Sequence, residues 1–198
     1  MDLVDLIQTR RFLGGEFLMW LWYKSECLDG MMNLPVHGNI EVWIDDQLTL
    51  EAYLAETERN DLKGGSPAHS PEARSALRQG KRVSKAKVGI LKEGREWSAT
   101  IKAESMDLAG IKIPALLSRE EEEQFYERMY LLEEVEDIVR ALYQEFLKIR
   151  LSPQWEELLL PKMIEWILSD SLLEPTDYPS KPLQEGLGIE PHPVLANA

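Results

Sequence analysis

The sequence predicts an α+β fold in which antiparallel β-hairpins pack on a buried Trp-rich helix, with a C-terminal helical segment. Three observations predict it. Residues 17–23 are apolar on nearly every side, as a helix buried from several directions must be. Between about residues 38 and 104, apolar and polar residues alternate with the period of half-buried strands. Beyond residue 118 the apolar spacing changes to steps of three and four, the period of a helix.

The elements follow in order. Residues 2–12 read as a short amphipathic lead-in, and residues 16–26 as the central core helix carrying Trp20 and Trp22. Residues 38–54 read as a hairpin. Ile40, Val42 and Ile44 lie on one strand, Leu48, Leu50, Ala52 and Leu54 on the next, and Asp45-Asp46 fall between them as turn residues. Trp43 is out of phase with Ile40, Val42 and Ile44, so it must meet another element, a partner or solvent. Residues 55–70 are polar and contain Gly64, Gly65 and Pro67, which predicts a loop. A helix over 71–79 follows, with Ser70 as N-cap, Pro71 in the first turn and Gly80 after its end.

Two further strands are predicted over 81–92 and 96–104, with Gly94 supplying the turn. On the first, Ser84, Ala86, Val88 and Ile90 share one face, and Lys81, Val83, Lys85 and Lys87 the other. Ser118 followed by Glu121 has the spacing of a capping box, opening a long helix from about 119 to 150. Its apolar stripe is Phe125, Met129, Leu132, Val135, Ile138, Val139, Leu142 and Phe146. A last helix starts at Ser152-Pro153, and Pro161 should kink it or start it afresh. The chain thus divides into an α+β domain over 1–150, a C-terminal helix over 151–170, and a Pro-rich, extended or disordered tail over 171–198.

At 198 residues and 44% apolar composition the chain can bury a substantial core without covalent staples. Its single cysteine, Cys27, has no partner within the chain for a disulfide, which suits a reducing compartment. Two acids, Asp2 and Asp5, stand where a signal peptide would carry positive charge, and no apolar run approaches the roughly 20 residues of a membrane span. A cytoplasmic protein without a membrane partner is expected. The net charge of −13 keeps the surface as a whole from attracting polyanions.

No catalytic or cofactor motif is legible. His37, His69 and His192 lack ligand spacing, and one cysteine cannot build a thiolate zinc site. The run Glu120–Glu123 invites a metal or acid–base reading. Neighbouring helical side chains fan apart, however, and acids favour a helix N-terminus, so a solvated first turn is the better account. A nuclease would need carboxylates from distant segments to converge. Trp20, Trp22, Trp43 and Trp97 fit core packing better than base stacking, with Trp43 the exception noted.

One segment departs from the acidic background. Residues 74–102 carry a local charge of +7, leaving −20 for the rest. Arg74 and Arg78 stand one helical turn apart, and Lys81, Arg82, Lys85 and Lys87 continue into the following strand. A stripe of such cations could follow a phosphate backbone. A solvated hairpin whose lysines discourage edge pairing or answer acids elsewhere is the competing account.

The stretch 69–88, with the core Gly80-Lys81-x-Val83-x-Lys85, resembles the recombination-associated protein RdgC family. The helix over 16–25, the following hairpin and the Trp97 strand fall in matching order, and the helix over 123–146 matches more loosely. The resemblance spans about residues 13–147 and has no counterpart of the family's N-terminal portion. It implies a sequence-independent DNA-binding protein of the nucleoid, associated with recombination, forming a homodimer and acting without covalent chemistry. Lys81 and Lys85 match the family motif, while charge geometry adds Arg74, Arg78, Arg82 and Lys87. The alternative expectation is a protein-interaction module, a phage or mobile-element accessory, that uses an acidic surface and its C-terminal helices to hold a basic partner.

Overall fold

The computed structural model describes residues 3–52, 59–65 and 67–169, and the Pro-rich segment over 171–198 lies outside the described residues. The architecture is α+β: a six-stranded antiparallel sheet and helices whose buried side chains join a single core. Helix α1 (Leu3–Cys27) is continuous. The expected lead-in and core helix are therefore one element, running straight through Gly14-Gly15. A Cβ added at Gly14 would lie 1.9 Å from the Ala103 carbonyl oxygen, so the glycine permits backbone-to-backbone contact with the chain just after a strand.

Strands β1 (Met31–Leu34) and β2 (Gly38–Glu51) form the first hairpin. This corrects the expected one, because Asp45-Asp46 do not turn the chain. They sit in a bulge of β2, where the register with strand β4 (Arg82–Lys92) jumps from Ile44↔Val88 to Leu48↔Ala86. Extra residues on one strand interrupt the alternation much as a turn would, and the two look alike in sequence. The expected loop over 55–70 also contains strand β3 (Arg59–Lys63), which pairs with the second half of β2. Of its residues Leu62 alone is buried, so it carried no alternating signal.

Helix α2 (Pro71–Arg78) begins as expected, with the Ser70 hydroxyl accepting from the Ala73 N–H at 3.0 Å. Strand β5 (Arg95–Lys102) pairs along its full length with Lys85–Lys92 of β4, and β6 (Leu108–Lys112), unforeseen in a run containing Ala109 and Gly110, closes the edge. A second irregularity, between Thr49 and Leu50, changes the phase of β4, so Val83 is buried with Ala86, Val88 and Ile90 rather than sharing a face with Lys85 and Lys87.

One sheet face presents Ile40, Val42, Leu48, Leu50, Ala86, Val88, Ile90, Trp97, Ala99 and Ile101 to the core. The other carries Glu41, Trp43, Thr49, Lys85, Lys87, Ser98, Thr100 and Lys102. Trp43 lies on this second face across Gly89, where an added Cβ would meet its indole at 2.1 Å.

Helix α3 (Glu121–Arg150) is one unbroken element. It docks through Leu131, Val135, Ile138, Val139, Leu142 and Phe146, while Phe125 and Met129, expected in the stripe, are exposed. The capping box does not form either. Glu120 is the N-cap without a side-chain bond, and Glu127 accepts from the Leu117 and Ser118 N–H groups at 2.8 and 2.9 Å. The chain then makes a π-helical turn (Trp155–Leu159) and restarts as α4 (Leu160–Leu168) with Pro161 in its first turn. Aromatic packing joins these pieces: Phe17 meets Tyr143 and Phe146, Phe146 meets Trp155, and Trp22 and Tyr23 meet Trp166. No described helix is long and apolar enough to cross a membrane.

Gly14→Ala should destabilise the fold by about 1–3 kcal/mol, because α1 must move off the strand end to admit one methyl group. A urea titration checks this, and an unchanged midpoint would show that the contact is not tight.

Candidate functional site

The six cations expected to bind DNA come from α2, the turn after it and β4, and the local geometry sends them in different directions. On α2, the Arg74 guanidinium lies 3.5 Å from Glu26 of α1, with both side chains almost buried. Burial raises the Glu26 carboxyl above its ordinary value, opposed by the Trp22 indole N–H, by His69 and by Arg74. One turn on, Arg78 donates to the carbonyls of Ile167 and Ser169 at 2.9 and 2.8 Å. It therefore serves the open carbonyls at the C-terminus of α4, where a cation also answers the helix dipole.

Lys81 donates to the Asn60 side chain of β3 at 2.8 Å. The Arg82 guanidinium stacks 4.6 Å from the Phe12 ring of α1. Lys87 lies on the second face of the sheet, with its ammonium 2.9 Å from Asp45 and 2.9 Å from Asp46. The bulge in β2 produces this clamp by setting both carboxylates against the same lysine. Lys85 is half-buried on that face, opposite Thr49 and Lys102.

The structure thus brings together Lys85 and Lys87, with Lys102 and Lys112 beyond them on neighbouring strands. It does not join Arg74, Arg78, Lys81 and Arg82 to them. The sequence spacing gave the right phase for Arg74 and Arg78 on α2, but the helix turns that phase towards α1 and α4. The cleft beside Lys85 also contains acids, being lined by Thr49, Glu51, Arg59, Lys102 and Glu104.

Sequence reasoning missed a second surface. Phe125, Tyr126, Met129 and Tyr130 are 60%, 62%, 45% and 58% exposed. With 3.6 residues per turn, the direction of these four lies roughly 160° around α3 from that of its buried residues. Acids bound the strip on both sides: Glu121 and Glu122 one turn before it, Glu133, Glu136 and Asp137 after it, all exposed. A legible signal existed, since Tyr126 and Tyr130 double the width of the apolar track before Leu131 and cannot share a face with Val135 and Leu142. The bonds from the Leu117 and Ser118 N–H groups hold the Glu127 carboxyl below its ordinary range and brace these first turns.

Chemical candidates are few. Cys27 is half-buried, and burial first, then Glu26, push its thiol up to about 11 against the pull of Arg74, so it is protonated at neutral pH. Among the described residues no three His, Cys, Asp or Glu side chains are grouped to hold a metal ion. Compared with known protein families and with curated proteins, the chain matches none.

The Lys87 clamp gives a pH signature. Its hydrogen bond lowers Asp46 below the ordinary Asp value, and the bonds Lys87 donates to Asp46 and Asp45 raise it above the ordinary Lys value. The Asp46 contribution is in force above its unfolded value and is lost as pH falls through its folded one. The Lys87 contribution is in force below its unfolded value and is lost as pH rises through its folded one. The window therefore spans about pH 4 to pH 10. Lys87→Met should lower the urea midpoint at neutral pH by an amount that shrinks below about pH 4. A deficit that stays constant into acid would show that the loss came from packing instead.

Proposed function

We propose that the chain is a non-catalytic protein-interaction module that uses its acidic surface and C-terminal helices to hold a basic partner. The observation that carries this reading is the inward use of the basic segment. Arg74, Arg78 and Lys87 answer groups of α1, α4 and β2, while the exposed faces of α3 remain rich in carboxylates. A net charge of −13 then acts outward and favours encounter with cationic surfaces.

A second reading, sequence-independent DNA binding in recombination or at the nucleoid, is favoured by one specific observation. Lys85 and Lys102 face each other across β4 and β5 on the second sheet face, and Lys112 of β6 lies farther along it, opposite Ser98. Phosphate contacts from so few cations would be weak and steeply salt-dependent.

The two readings separate on columns of immobilised duplex DNA and of an immobilised basic protein, each eluted with a salt gradient. The interaction reading expects retention on the basic protein and flow-through on DNA. Retention on DNA that is lost in Lys85→Glu/Lys102→Glu would reverse the order.

A further inference from the structure

We infer that the first three turns of α3 are a docking site for a Lys/Arg-bearing amphipathic segment of a partner protein. This rests on the interaction reading above and names where and how the partner binds.

Phe125, Tyr126, Met129 and Tyr130 cannot be explained by the fold. They point away from the core side of α3, and the buried residues of the helix begin only at Leu131. A helical start that needed only solvation would carry small or charged residues there. Four large apolar groups in one strip instead make a contiguous exposed patch of the kind that marks an interaction surface. Leu117, 86% exposed, stands at the entry to the same helix. The strip is also held in place. Glu127 fixes the preceding backbone through two N–H bonds, and Gln124 donates to the Ser118 carbonyl at 3.1 Å. A braced helix face loses little order on binding.

Charge identifies the occupant. The strip is bounded by Glu121 and Glu122 on one side and by Glu133 and Glu136 on the other, while Asp137 is taken by Arg140 at 2.6 Å. Apolar side chains of the partner would rest on the central rings, and its cations would reach the flanking carboxylates. Phe125 and Tyr126, with ring centroids 5.7 Å apart and edge-to-face, also offer π-faces to a lysine or arginine. A second copy of this chain is a poor occupant. Antiparallel pairing through the strip would set Glu122 of one copy against Glu133 of the other, and parallel pairing would set acid on acid throughout. The mode is that of an amphipathic helix read at steps of three and four.

The test uses the full chain and a fluorescent synthetic Lys/Leu amphipathic helical peptide, with anisotropy followed at low and high salt. Tyr126→Ala/Tyr130→Ala changes no charge and removes two exposed side chains, so circular dichroism should match the parent. Its affinity should fall about tenfold or more. Glu122→Gln/Glu133→Gln should weaken binding and flatten its salt dependence. If the parent binds and the tyrosine variant binds equally, the site is wrong while the acidic-module reading stands, its attraction being spread over the surface. If the parent binds no basic probe, that reading falls and the site with it. If light scattering instead finds a dimer that the tyrosine variant dissolves, the occupant is a second copy and the inference is overturned.

Discussion

The stretch of helix α1 from Phe17 to Tyr23 has no face to give to water, and this constraint organises the rest of the molecule. Phe17, Leu18, Trp20, Leu21, Trp22 and Tyr23 are all essentially buried, although they point around the full circumference of the helix. One side lies on the sheet. The others must be covered by something else, and α3, the π-helical turn and α4 supply the cover through Phe146, Trp155 and Trp166. Each such large side chain contributes roughly 1.5–3 kcal/mol when fully buried. The C-terminal helices are therefore part of the same core as the sheet and no appendage to it.

That arrangement assigns the charged residues their positions. Several joints between elements are completed by a cation or carboxylate. Glu134 on the core side of α3 takes Lys92 at 2.7 Å and Arg95 at 3.1 Å, tying the β4–β5 hairpin to the helix. Arg150 takes Glu16 at 2.8 Å, fixing the other end of α3 on α1. Arg78 completes the end of α4. Within the basic run over 74–102, Arg74, Arg78, Lys87, Lys92 and Arg95 each serve such a joint between elements.

The parts of the fold that were legible in sequence were those whose signal is local and repetitive. The apolar run of α1, the Ser70-Pro71 start of α2, the paired β4 and β5 and the period of α3 all belong to this class. The failures have a common cause. The bulge at Asp45-Asp46 mimicked a turn because both interrupt alternation, and deciding between them requires knowing that Lys87 lies opposite. Strands β3 and β6 lack alternation because they sit at sheet edges, where β3 buries Leu62 alone and β6 buries no residue. At the candidate site, spacing correctly placed Arg74 and Arg78 on one face of α2. It could not say that this face looks at Glu26 and α4, which is a tertiary fact.

The exposed strip on α3 illustrates the converse. An apolar residue at helical spacing is read as core by default, and Phe125 and Met129 satisfied that default. The phase carries the missing information. Through Leu131, Val135, Ile138, Leu142 and Phe146 the track keeps one direction, whereas Phe125, Tyr126, Met129 and Tyr130 point nearly the opposite way. In α3 the first of these opposed tracks is buried and the second faces outward. Rigid packing of the first track on α1 and the sheet then fixes the orientation of the second. The buried core of this protein and its exposed aromatic strip are in that sense two sides of one helix.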